Sequence, residues 1–163
     1  MDVFTRFEIQ VDILRLETIL NCGIFNQEQF SHPLRQSAFT ELMICLNDLL
    51  QKSKNEGLRI AFTDNVDITP DISDITDLVN TIRNAVCHIH SPSHMLTDTI
   101  KFTFNTAYGK GAVAKINDIV ITSDFPDDIA FFFGKERIYM KRHIHRAFLE
   151  AKDKLLPLIS QSP

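Results

Sequence analysis

The stretch Arg83-Asn84-Ala85-Val86-Cys87-His88-Ile89-His90 gathers the side chains of this chain best suited to chemistry. On a helix, Asn84 and His88 are four apart and share a face, so the amide can orient the imidazole. Arg83 and His90 are seven apart and share a neighbouring stripe, which a long guanidinium can bridge. Arginine offers a permanent cationic fork for a phosphate. Histidine accepts and donates a proton near neutral pH. Together they suit metal-free RNA cleavage, in which a 2′-OH attacks the adjacent phosphate and a crowded anion must be stabilised. Two other readings of the same residues stand beside it. Arg83 and His88 can simply cap or bridge a helix end, and His88, His90 and His94 fall within seven residues, a spacing that zinc can use. Against a metal, Pro92 intervenes and no nearby Cys or Glu completes a set.

A second group is electrostatic. Residues 135–146 hold Lys135, Arg137, Lys141, Arg142 and Arg146 against a single acid, Glu136. In a chain of net charge -4 this local excess is a candidate phosphate-backbone site, with His90, Arg137, Lys141 and Arg142 as the RNA-binding candidates. A solvated helix face with pairs such as Arg146–Glu150 explains the same charges. Neither a Walker pattern, a G-x-G-x-x-G run nor a nucleophile elbow occurs.

These groups must be positioned by a chain of 163 residues, a length that suits one domain spanning 1–163. Hydrophobic residues make up 44% and charged residues 23%, a globular balance that excludes wholesale disorder. The acidic net charge excludes a basic nucleic-acid coat protein. Cys22, Cys45 and Cys87 form no C-x-x-C and read as buried free thiols of a cytoplasmic protein. No secretory leader is visible, and the apolar run 129–133 is too short to cross a membrane.

Apolar periodicity predicts four helices, at about 3–21, 33–55, 70–90 and 140–159. The first has two opposite apolar stripes: Phe4, Phe7, Val11, Leu14 and Thr18 on one, Ile9, Ile13, Leu16 and Leu20 on the other. Such a helix buries both, either inside its own chain or with one face against a second subunit. Thr69-Pro70-Asp71 carries the marks of the third helix's start, and Ser91-Pro92-Ser93 of its stop. Alternation at Ile100, Phe102 and Phe104 predicts a strand, followed by further short strands up to about 140.

Arg83-Asn84-x-x-x-His88 resembles the R-(polar)-x3-H signature of the HEPN superfamily of small helical bundles. The resemblance implies a mostly α fold: a four-helix HEPN-like bundle with a small antiparallel β insert at about 99–140 before the last helix. It implies a homodimer with the motifs of both subunits in one interfacial cleft, and a cofactor-free, metal-independent endoribonuclease of toxin-like or defence-related setting. Arg83 would stabilise the scissile phosphate, His88 would act on the 2′-OH or leaving group, and Asn84 would orient them. An antitoxin or nucleotidyltransferase would be the partner. The family's H-x-Y extension is His88-x-His90 here, so the tyrosine that such an antitoxin modifies is replaced. The alternative is a non-catalytic, dimeric HEPN-like subunit binding RNA, a nucleotide or a partner protein.

Overall fold

The computed structural model describes residues 1–88 and 91–160. The order is α1 (Val3–Asn21), α2 (Arg35–Asn55), α3 (Ile75–Cys87), β1 (Asn105–Tyr108), β2 (Gly111–Ile116), β3 (Ile119–Ser123), β4 (Ile129–Phe133), β5 (Glu136–Tyr139), a π-helical turn (Met140–His145) and α4 (Arg146–Ser160). All strand pairs are antiparallel: β1-β4-β5 form one sheet and β2-β3 a separate hairpin. No helix among the described residues is long and apolar enough to cross a membrane.

The four-helix bundle with a β insert is overturned. The helices are there, but the five strands are an integral half of an α+β fold. The reason lies in β4, whose five residues are all buried. Phe131 and Phe133 face the helices, where Phe39 of α2 meets them at ring-centroid distances of 4.3 and 5.6 Å. Ala130 and Phe132 face the other way, into a second cluster with Leu96, Phe102, Ile121 and Tyr139. A strand buried on both faces is a wall of the core, not an appendage.

Several boundaries also move. Helix α3 starts at Ile75, not at Pro70, because Asp74 is its N-cap: its carboxylate accepts from the Thr76 and Asp77 amides at 2.9 and 3.2 Å. Arg59 then clamps Asp74 at 2.7 Å, and Thr69 to Ile72 close on themselves as an isolated bridge. Helix α2 begins at Arg35, not at 33, and its N-cap position is Leu34, which makes no side-chain cap bond. The alternation at 100–104 is real in burial but is not a strand. Phe102 donates its amide to His94 and accepts from Gly134, while the first strand begins at Asn105. Of the cysteines only Cys45 is buried; Cys22 and Cys87 are exposed.

Two buried groups organise the C-terminal half. The fully buried Asp128 carboxylate accepts from the amides of Ile129, Lys141 and Arg142 and from the Arg142 guanidinium, at 2.8 to 3.1 Å. His143 is fully buried against Tyr139, whose backbone N–H donates to its Nδ1 at 3.2 Å. Burial pushes the His143 imidazole down to about 4.

Two predictions follow from this packing. A Cβ built on Gly134, at φ +56, would stand 2.3 Å from the Ser93 carbonyl oxygen and 2.9 Å from that of Met95. Both are backbone atoms, so Gly134→Ala should cost about 3 kcal/mol in a urea melt, where a surface glycine in an open turn would cost far less. The depressed His143 pKa gives a stability that is full above the unfolded value, near 6.5, and is lost as pH falls toward about 4. Between pH 7 and pH 5 the parent should lose about 2 kcal/mol through this residue. His143→Asn, which keeps an acceptor near Nδ1, should show a flatter urea-midpoint profile over that range; an equal slope would exclude His143 as the cause.

Candidate functional site

The candidate residues are carried by the end of α3. The helix points its apolar side, Leu78, Val79, Ile82 and Ala85, into the core, which leaves Arg83 and Asn84 half-buried at the rim. The Arg83 guanidinium donates from Nη1 to Asn84 Oδ1 at 3.0 Å, and Arg83 Nε is buried without a hydrogen-bond partner among the described residues. That bond engages one lone pair of the Asn84 oxygen, and the amide N–H groups and the guanidinium make the pair rich in donors, which an anion would complement.

His88 does not complete a helical face. The helix ends at Cys87, and His88 is its C-cap in extended geometry, φ -127 and ψ 102. Its side chain is exposed, and its backbone donates to the Ala85 carbonyl and accepts from the Ser91 amide. The i,i+4 alignment of Asn84 with His88 therefore fails; both stay at one helix end, joined by a turn. His90 lies outside the described residues. His94 is buried, with Nε2 2.7 Å from the Ala85 carbonyl and its ring edge-on to Phe133. One end of the proposed histidine triad is thus held inside the fold while His88 points to solvent.

The basic stretch is placed elsewhere, where the β4–β5 sheet passes into the π turn. Arg137 lies 2.7 Å from Asp124 and 3.4 Å from Asp67, and also donates to the Thr122 carbonyl. Arg142 is shared between Asp127 and Asp128, with its guanidinium 3.9 Å over the Phe125 ring. The Arg142 hydrogen bond holds the Asp127 carboxyl below its usual range. Arg146 pairs with Asp64 and Glu150. Lys141 is the most exposed of these cations and is only 3.9 Å from Asp127. The local positive excess of the sequence is largely neutralised in space, by acids 4 to 82 residues away.

One feature of this region left no pattern in the sequence. A cleft of about 390 Å³ opens beside the same turn, lined by Phe25, Glu28, Tyr108, Asp127, Lys141 and His145. Its walls come from four distant segments, so no local motif could announce it. Arg83, Asn84 and His88 do not line it.

The apolar stripe of α1 is real and uncovered. Ile9, Ile13 and Leu16 are buried, whereas Val3, Phe4, Phe7 and Leu14 are 71, 77, 64 and 64% exposed. The first half of this stripe lies toward the opposite end of α2 from the one tied to α3. Lys52, late in α2, reaches Asp12 at 2.6 Å, so the first half of α1 lies beside the end of α2. The start of α2 is instead tied to the end of α3 by the chain Phe39–Phe133–His94–Ala85. Comparison with known proteins finds no matching family model, curated protein or solved structure.

Proposed function

We propose that the chain is a metal-independent endoribonuclease that works through Arg83, Asn84 and His88. The observation that carries this reading is the Arg83–Asn84 hydrogen bond, a donor-rich anion seat in the last turn of the helix that the exposed His88 caps. Guanidinium and amide N–H groups would hold the non-bridging oxygens of a phosphodiester. His88 would take the 2′-OH proton as that oxygen attacks phosphorus, and the 5′-oxygen would leave with a proton. The products would be a 2′,3′-cyclic phosphate and a 5′-hydroxyl. The likeness to HEPN ribonucleases rests on the motif alone, since the fold departs from the bundle. A toxin-like or defence role in the cytoplasm, with an antitoxin as partner, belongs to that likeness.

A second reading is a non-catalytic, dimeric subunit that uses the same anion seat to bind RNA, a nucleotide or a partner. The turn that takes His88 off the Asn84 face favours it.

RNA cleavage in EDTA by the purified chain, beside His88→Ala and Arg83→Ala, separates the two. Ribonuclease activity predicts cyclic-phosphate ends and a loss of at least about 100-fold in either variant. An intact, folded parent that leaves total cellular RNA uncut, yet loses RNA binding on Arg83→Ala, supports the subunit. Cleavage by His88→Ala at the parental rate removes His88 from the mechanism.

A further inference from the structure

The exposed stripe on α1 has no function in the site just described, and its chemistry selects its partner. Val3, Phe4, Phe7 and Leu14 expose most of their surface, and Leu14 shares a groove with Leu156 of α4, itself 37% exposed. At about 150–250 Å² for a large side chain, the patch comes to roughly 500 Å² of apolar surface. That is near the ceiling for a monomer, and two such patches face to face would cover about the 1,000 Å² that a specific interface needs.

We infer that the occupant is a second copy of this chain, with the two α1 helices packed antiparallel about a two-fold axis near Ile9 and Gln10. The stripe has the a/d spacing of a short coiled coil, at positions 4, 7, 11, 14 and 18. Antiparallel pairing sets Phe4 against Leu14 of the second copy and Phe7 against its Val11, so these four side chains each meet an apolar one. It also brings Arg15, exposed on the flank, alongside Asp2 at the start of the other helix, whose carboxyl is held down to about 2 by its bonds to Thr5. A parallel pair would instead rank Asp2 with Asp2 and Glu8 with Glu8 along the whole seam. In the antiparallel pair Glu8 meets its counterpart only at the axis, and each Glu8 has Lys52 of its own chain at 3.5 Å to offset the repulsion.

This inference is independent of the ribonuclease reading. Neither Arg83 nor Asn84 belongs to the α1 stripe, so the substitutions that test the contact leave that pair unchanged.

Sedimentation of the full chain over a concentration series tests it, with Phe7→Glu and Leu14→Glu beside the parent. The parent should dimerise, and each variant should raise the dissociation constant at least about 100-fold without lowering the thermal midpoint at concentrations where the parent is monomeric, since both side chains are exposed. Glu8→Gln should tighten the dimer. In a Cys22→Ser/Cys87→Ser background, a short bis-maleimide should join Gln10→Cys chains to each other and leave Leu14→Cys chains single. A parent that stays monomeric up to about 100 μM, or that is found only with a different protein on this face, overturns the second copy as occupant. A dimer that survives Phe7→Glu overturns the interface, and Leu14→Cys chains that cross-link while Gln10→Cys chains do not overturn the antiparallel order.

Discussion

The Asp128 carboxylate has no exposed surface, and the C-terminal half of the chain is shaped by the need to satisfy it. Its oxygens accept from three backbone amides and one guanidinium. Those amides belong to the start of β4 and to the first turn leading into α4. One side chain thus fixes where the central strand begins and where the last helix departs. An acid at that place also stabilises the positive end of the helical turn it caps. Without these donors the buried charge would cost several kcal/mol, which makes the local geometry close to compulsory. The fully buried β4 follows from it, and with β4 comes the division of the interior into two clusters that back onto each other.

What was legible in the sequence was what is decided locally. The two faces of α1 follow from its spacing alone, and one is buried while the other is bare. The adjacency of Arg83 and Asn84 needed no tertiary information. The start of α3 was misread because Thr69-Pro70-Asp71 carries the same cap chemistry as a true start. Asp74 prevails because Arg59, fifteen residues earlier, binds it. The end of α3 was misread for a similar reason. Only the fold reveals that His94 turns back to the Ala85 carbonyl, which leaves the chain from His88 no course along the helix axis. The alternation at Phe102 and Phe104 marked two inward residues correctly. It did not reveal that the amide and carbonyl of Phe102 bond to His94 and Gly134 rather than to a neighbouring strand.

Charge was the least legible property. Arg137, Arg142 and Arg146 look like a cationic run when read along the chain, yet each has a carboxylate partner from elsewhere, Asp124 and Asp127 in the β3–β4 loop and Asp64 between α2 and α3. These pairs are partly exposed, so each contributes modestly to stability. Their larger effect is to remove free positive charge from the surface around the cleft, leaving Lys141 as its most available cation. An acidic chain that pairs its arginines internally has little attraction for nucleic acid in general. Any RNA it holds must be gripped at a small, shaped seat.

The contact of Gly134 with residues 93–95 bears on the order in which the molecule is built. Helices α1 to α3 are joined by near-neighbour contacts and can assemble early. The segment after α3 cannot take its place until the β4–β5 hairpin, some forty residues later, presents its bare turn for the Ser93 and Met95 carbonyls to lie against. Because that segment also holds His94 on Ala85, the geometry around His88 is among the last to form. During synthesis, Arg83 and Asn84 emerge well before the hairpin that completes their surroundings. A nascent chain therefore carries Arg83 and Asn84 without the shape around them, and a product truncated before β4 would lack the turn that residues 93–95 lie against.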